Sequence, residues 1–219
     1  MIMTTLFKKH RFLSFTCLAA IAFAMSIFFS PVAMAKLFDG PVDRLPVLER
    51  VSLREGKVTL LGQKGEYTCR VLANASVESA WKVLTDYNNF SQFLPGVEAS
   101  KLVESKGDRK VFEQTNKIKT FIFSTEAEVK IAVTEYYPQK IAFKAVDGDL
   151  ETMNGEWLIE AVSPYPSAPP DKVLITHTVY VEPAGVPSKD MFYGIYEDSL
   201  ENTLAAIKVE SEKRSTQTQ

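Results

Sequence analysis

Residues 121–133 read FIFSTEAEVKIAV, and the charged side chains in this stretch fall on alternate positions, at Glu126, Glu128 and Lys130. The positions between them, and those on either side, are apolar or small and uncharged. A strand with this period of two buries one face and exposes the other, which is typical of an antiparallel sheet covered on one side. The stretch therefore predicts a long, half-buried strand.

Similar patterns occur on both sides of this stretch. A Ser-Lys-Gly-Asp turn at 105–108 predicts a hairpin. Further strands are predicted at 66–73, 97–104, 109–117, 141–145, 153–161 and 172–182. Residues 51–61, with a Glu55-Gly56 turn, are interpreted as a possible small hairpin after a lead-in from residue 36. The total is about six to seven strands.

Two segments have helical periodicity instead. Ser76 is a predicted N-cap for a short helix that contains Trp81. A long amphipathic helix is predicted over 189–212, followed by a polar, disordered tail at 213–219. The apolar side of the long helix shares six residues: Phe192, Ile195, Tyr196, Leu200, Leu204 and Ile207.

This order of elements predicts an α+β fold in which a curved antiparallel sheet wraps on the C-terminal helix. A twisted sheet of this size tends to curl, and one helix cannot fill its concave face. We therefore expect an internal cavity between the sheet and the helix.

Two short motifs support this interpretation. Residues 83–87 (VLTDY) and 93–97 (FLPGV) resemble the opening motif of the START-like helix-grip superfamily, which includes polyketide cyclase/dehydrase-like and coenzyme Q-binding proteins. Further segments resemble a cyanobacterial and chloroplast branch: 141–144 (IAFK), 147–150 (DGDL), 155–157 (GEW) and 202–207 (NTLAAI). The resemblance covers 66–212 and implies a helix-grip domain with a ligand cavity. It does not imply one reaction, because this fold hosts both carriers and enzymes.

The N-terminus has the three parts of a secretory signal peptide: basic residues at 8–11, an apolar run over 12–29, and Ala33-Met34-Ala35. Residues 1–35 are therefore predicted to be a signal peptide cleaved after Ala35, which places the protein in a periplasm or thylakoid lumen. An uncleaved membrane anchor is the alternative, since the apolar run approaches the length that spans a bilayer.

Charge and cysteine content exclude several classes. The signal segment carries three basic and no acidic residues, so its removal changes the net charge from −2 to −5. Nucleic acid is not an expected partner of such a chain. Cys69 is the one cysteine after residue 35, so no intramolecular disulfide forms there. Without a metal-spaced cluster of cysteine and histidine or a phosphate-binding glycine loop, no metal or cofactor is expected.

The candidate ligand-binding residues lie on faces predicted to point between sheet and helix. They are Phe90, Phe93, Phe121, Phe123, Phe143, Met153, Trp157, Phe192, Tyr196, Ser199 and Thr203. For any one aromatic residue of this set, ordinary core packing is the alternative. Ser199 and Thr203 suit either a pocket with a few hydrogen bonds or close approach of helix and sheet.

A second group of apolar residues is expected at the helical corner: Trp81, Tyr87, Phe90, Phe93 and Leu94. This group forms either a lip where the ligand enters, with transient membrane contact, or a buried plug.

Catalytic candidates are few. His177 is the one histidine after residue 35, and Glu113 and Tyr196 are the other acid–base candidates. Cys69 lacks the context of a nucleophile. Asp147 and Asp149 flank a glycine, and a hairpin turn explains them more simply than a metal site does.

These observations favour a monomeric, non-enzymatic carrier of a hydrophobic small molecule, such as a lipid, quinone, isoprenoid or pigment. A cyclase/dehydrase-type enzyme acting on a polyketide-like substrate is the first alternative. An accessory module that binds a protein partner is the second.

Overall fold

The computed structural model describes residues 39–119 and 124–217, with side chains described from 39 to 117 and from 126 to 217. The helices are α1 Val47–Arg54, α2 Val77–Leu84, α3 Phe90–Phe93 and α4 Lys189–Thr216. The strands are β1 Thr59–Gln63, β2 Glu66–Ala73, β3 Val97–Lys106, β4 Arg109–Lys119, β5 Ser124–Tyr136, β6 Lys140–Gly148, β7 Leu150–Val162 and β8 Lys172–Pro183. The predicted α+β class, with a curved antiparallel sheet and a long C-terminal helix, is confirmed.

The sheet has eight strands in the order β1-β2-β8-β7-β6-β5-β4-β3, and every neighbouring pair is antiparallel. Its register places side chains of four strands in one row, because Cys69 lies opposite His177, His177 opposite Trp157, and Trp157 opposite Ile141. Paired residues of neighbouring strands share a face. This row therefore crosses the concave face of the sheet.

The sheet exceeds the predicted six to seven strands because β1 was not recognised as a separate strand. The predicted hairpin at 51–61 is wrong, since α1 occupies its first part and Gly56 follows the helix end. The hairpin is instead formed by β1 and β2 around Lys64 and Gly65, which both have positive φ, 54° and 97°. Gly65 is also required by space, since a Cβ there would clash with the Val181 carbonyl oxygen.

The short helix after β2 is as predicted. The Ser76 side chain accepts a hydrogen bond of 3.0 Å from the backbone N–H of Ser79, which satisfies one of the free donors at the start of α2. Ala80, Trp81 and Val83 of α2 are buried in the main core.

Helix α4 is longer than predicted. Residues 213–216 are helical rather than part of a polar tail. Lys213 and Arg214 both pair with Glu210, with N–O distances of 3.1 and 2.8 Å, and such pairs one turn apart support the last turn of a helix.

The main core lies where α4 crosses β2. Leu204 and Ile207 of the helix are at most 3% exposed, and Cys69 and Val71 of the strand are fully buried. In the ranges that the structure describes, no helix is long and apolar enough to span a membrane. The predicted signal peptide at 1–35 lies outside these ranges.

Candidate functional site

A cavity of about 740 Å³ lies between α4 and the concave face of the sheet. Strands β4 to β7 supply most of its wall, α4 lies across it, and the segment from α2 to β3 closes one side. The side chains of the wall are mainly apolar, with Val129, Ile131 and Val133 of β5 and Ile141 of β6 among the buried ones. A space of this volume is within the range of ligand pockets, roughly 300–1,000 Å³.

Eight of the eleven predicted ligand-binding residues line this cavity: Phe90, Phe143, Met153, Trp157, Phe192, Tyr196, Ser199 and Thr203. Phe93 does not line it. The Phe93 ring instead packs edge-on against Phe90 at 5.9 Å, and the Arg214 guanidinium lies 5.3 Å from its centroid. Phe121 and Phe123 lie outside the described residues.

The floor of the cavity is a set of stacked rings. The His177 imidazole stacks on the Trp157 indole with 3.8 Å between centroids and on the Phe143 ring with 5.3 Å. Gly155 makes this possible, because a Cβ there would lie 2.8 Å from the tip of the Phe143 ring and would clash with the Thr178 carbonyl oxygen. The ring of Phe143 therefore lies over backbone that carries no side chain.

His177 is uncharged at neutral pH. Burial lowers the pKa of its imidazole from 6.5 to about 3, and a hydrogen bond with the Glu156 backbone only partly offsets this effect. Its Nδ1 atom is buried and has no hydrogen-bond partner. Such a group fits a structural role better than the exchange of protons with a ligand.

The neighbouring polar groups under α4 are also uncharged. Burial raises the pKa of the Cys69 thiol and the pKa of the Tyr67 phenol, each to about 12. The pKa of Tyr196, which lines the cavity, is raised by burial too. Cys69 lies opposite His177 in the sheet register, yet it remains a thiol and His177 remains a weak base. This pair lacks the thiolate that nucleophilic attack requires.

Three of the five residues at the helical corner are buried. Tyr87 and Phe90 are 5% and 8% exposed, and both pack on the Phe112 ring, at 4.8 and 5.6 Å. The Tyr87 hydroxyl donates a 2.8 Å hydrogen bond to Glu135, which fixes the corner to β5. Trp81, 8% exposed, packs on Tyr137 outside the cavity. Trp81, Tyr87 and Phe90 are thus buried as in the plug, whereas Phe93 and Leu94 are partly exposed and Leu94 lines the cavity.

Two cavity residues on β4 were missed at the sequence level. Gln114 and Asn116 line the cavity, and the Gln114 amide donates a 2.6 Å hydrogen bond to the Asn116 side chain. Both follow Phe112 at a spacing of two, so strand alternation places them on the same inner face. Strand alternation was a sufficient signal for both residues, yet neither belongs to the predicted set of aromatic residues, Met153, Ser199 and Thr203.

Charged residues occur in the lining only at its solvent-exposed edge. They are Glu98, Lys117, Glu128 and Asp198. Lys117 forms an ion pair with Glu98. Glu113, a predicted acid–base candidate, is not in the cavity, because its carboxylate pairs with Lys130 at 2.9 Å on the outer face of the sheet.

The predicted absence of a metal site can be examined only in part. Among the side chains from 39 to 117 and from 126 to 217, no three of the types His, Cys, Asp and Glu are grouped as metal ligands. Asp149 has a backbone role instead, since its carboxylate accepts a 2.8 Å hydrogen bond from the Glu128 N–H beside the β6–β7 turn.

Comparison with known proteins gives a family match. The family described as polyketide cyclase / dehydrase and lipid transport matches residues 73–208. These residues include the helical corner, strands β3 to β8 and most of α4, and so nearly all of the cavity wall. A comparison with curated protein sequences gives no match.

Solved structures share the fold at low sequence identity. A protein from Thermus thermophilus aligns with a TM-score of 0.57 and 14% identity, over 68% of this chain and 97% of its own. A STAR-related lipid transfer protein from Xanthomonas axonopodis aligns with a TM-score of 0.56 and 20% identity, over 69% of this chain and 90% of its own. The Zhui aromatase/cyclase from Streptomyces sp. R1128 aligns with a TM-score of 0.53 and 17% identity, over 72% of this chain and 95% of its own.

Proposed function

Because the chain belongs to the polyketide cyclase / dehydrase and lipid transport family, we propose that it is a non-enzymatic carrier of a hydrophobic small molecule. The ligand class is a lipid, quinone, isoprenoid or pigment-like molecule. The observation that carries the proposal is the apolar cavity of about 740 Å³ between α4 and the sheet.

Burial of apolar surface supplies the binding free energy. Each methylene group transferred from water into such a wall contributes roughly 0.8 kcal/mol. A long apolar molecule therefore binds tightly with few polar contacts. Those contacts are available from the hydroxyl groups of Ser199 and Thr203 on α4 and the amides of Gln114 and Asn116 on β4.

The chemistry of the cavity favours a carrier over a cyclase. General acid–base catalysis works best with a group whose pKa lies near neutral pH. The pKa values of His177 and Tyr196 are displaced from that region in opposite directions, downward for the imidazole and upward for the phenol. Turnover of a polyketide-like substrate, lost in His177→Ala, is the result that would favour the enzyme.

Native mass spectrometry of the protein purified from its own host tests the carrier function. We expect a bound apolar molecule that organic solvent extracts and that mass spectrometry then identifies. A protein that emerges without ligand and takes up no apolar probe contradicts the proposal.

A matched pair of substitutions on α4 tests whether the cavity is the binding site. Thr203→Trp puts a large side chain at a half-buried position of the cavity lining, whereas Ala205→Trp adds the same side chain at an exposed position outside the lining. We expect Thr203→Trp to weaken uptake of the uncharged dye Nile red on the order of tenfold and Ala205→Trp to leave it unchanged. Equal uptake by the two variants places the ligand elsewhere.

The N-terminal sequence supports a further part of the proposal, export of the domain after cleavage behind Ala35. Intact mass and N-terminal sequencing of the protein from its host test this cleavage. A mature chain that begins at Lys36 is the expected result, and a full-length chain in the membrane fraction supports the anchor instead.

A further inference from the structure

The described side chains of the cavity interior are polar in places but carry no charge at neutral pH. Its polar side chains are hydroxyl, amide, phenol and imidazole groups, and burial keeps the imidazole of His177 and the phenol of Tyr196 in their uncharged forms. Each of these groups can form hydrogen bonds with a neutral ligand.

The charged lining residues do not alter this property. Asn116 lines the cavity, so strand alternation directs the adjacent Lys117 side chain away from the interior. Glu128 lies between Ala127 and Val129, which both line the cavity, and its side chain is directed outward in the same way. Lys117, the one cation among the described lining residues, is in addition engaged by Glu98. Arg214, the arginine nearest the helical corner, pairs with Asp86 at 2.9 Å and is not part of the lining.

An anionic group on a ligand therefore meets no free counter-charge among the lining residues that the structure describes. Inside the cavity it would be a buried, unpaired charge, which is strongly unfavourable. At the edge it would face Glu98, Glu128 and Asp198 against a single lysine. A carboxylate or phosphate is thus opposed in either position, while a hydroxyl or carbonyl group finds partners.

We infer that the cavity selects uncharged ligands, with hydroxyl or carbonyl groups as their polar parts, and discriminates against fatty acids and anionic phospholipids. This inference rests on the proposed carrier function and narrows its ligand class.

Three ligands with the same alkyl chain test the inference: myristyl alcohol, myristate and myristylamine. Each competes with Nile red for the purified protein at neutral pH. We expect the alcohol to bind on the order of tenfold more tightly than the carboxylate, and the amine to bind more tightly than the carboxylate because the edge is acidic. Myristate that binds as tightly as the alcohol overturns the inference and leaves the carrier function standing. Failure of the dye and of all three ligands to bind overturns both.

A matched pair of lysine substitutions on β4 compares two variants with the same ligands, so that differences between the ligands in solution cancel. Asn116→Lys places a cation on the inner face of β4. Thr115→Lys places one on the preceding residue, which faces outward. We expect Asn116→Lys to shift the ratio of myristate to alcohol affinity on the order of tenfold toward myristate, with no shift in Thr115→Lys. Thermal unfolding shows that each variant is folded. Equal ratios in two folded variants overturn the inference.

Discussion

Helix α4 meets the same sheet in two different ways. Over β2 the contact is solid, since Leu204 of the helix and Cys69 and Val71 of the strand are all fully buried. Over β4 to β7 the same helix faces the cavity of about 740 Å³. We call these two regions the packed side and the hollow side.

The difference lies in the curvature of the sheet and in neighbouring residues of the helix. Leu204 points to the packed side, while Thr203, one position earlier, lines the cavity. The strands that line the cavity curl away from the helix, and the side chains of the two layers do not fill the gap. A hollow interior thus needs a packed side that supplies the stability of the domain.

The largest expected effect is on the packed side. Leu204→Ala removes a fully buried side chain and leaves a void, which costs about 2–5 kcal/mol in free energy of unfolding. The neighbouring Thr203→Ala changes the wall of a space that is already empty, so we expect a change of about 0.5 kcal/mol or less. Urea denaturation measures both variants. Similar losses in the two would contradict the division into packed and hollow sides.

The next effect concerns the floor between the two sides. In Gly155→Ala the added Cβ would clash with the Thr178 carbonyl oxygen and would also displace the Phe143 ring. We expect a loss of about 3 kcal/mol, the upper part of the usual range for overpacking. Gly194→Ala on α4, where a Cβ meets open space, is the control and should gain about 1 kcal/mol from helix propensity. Thermal or urea unfolding distinguishes the two.

A third prediction uses the pH dependence of stability. The pKa of His177 is lowered to about 3 in the folded protein, against 6.5 unperturbed. Between these values the unfolded chain binds the proton and the folded chain does not, so this group destabilises the fold as pH falls below about 6.5. At pH 5 the titration of His177 lowers the free energy of unfolding by about 2 kcal/mol relative to neutral pH.

The control is His177→Gln, which removes this titration and leaves that of the carboxylates. We expect the stability of the wild type, measured by urea denaturation, to fall more steeply between neutral pH and pH 5 than that of the variant. Parallel curves would show that the floor opens to water and that His177 is protonated there.

The smallest effect is at the end of the packed side. Ser211 of α4 is fully buried and its hydroxyl oxygen has no hydrogen-bond partner. Ser211→Ala removes this unsatisfied group and improves helix propensity, so we expect a gain of about 0.5 kcal/mol in urea denaturation. A clear loss of stability would indicate that a water molecule satisfies the hydroxyl group.

Much of the fold was predictable because its strands follow a period of two residues and its helices a period of about 3.6 residues. The alternation at 121–133 predicted a strand, and Val129, Ile131 and Val133 of β5 are indeed buried. Helix α1 was not predicted because apolar residues lie on its exposed side and a charged residue lies on its buried side, the reverse of an ordinary amphipathic helix. Its exposed positions include Val47 and Leu48, at 62% and 84%, whereas Glu49 is 6% exposed and bound by Arg70 at 2.5 Å.

The cavity was predictable as a consequence of sheet curvature, but its details depend on contacts between distant strands. The stacking of His177 on Phe143 requires the register of β6, β7 and β8 and the missing side chain at Gly155. Phe93 was assigned to the cavity because helical spacing did not reveal the short turn that directs it toward Arg214. Period and propensity carry no information on such partners.

The two outer strands, β1 and β3, lie at opposite ends of the strand order and are not paired with each other. The sheet is consequently an open strip, and no closed ring of backbone hydrogen bonds determines its radius. For the proposed carrier, we expect this open sheet to bend around wider or narrower ligands while its backbone hydrogen bonds are kept. Tolerance of ligand size would then come from the backbone, and discrimination among ligands from the side chains.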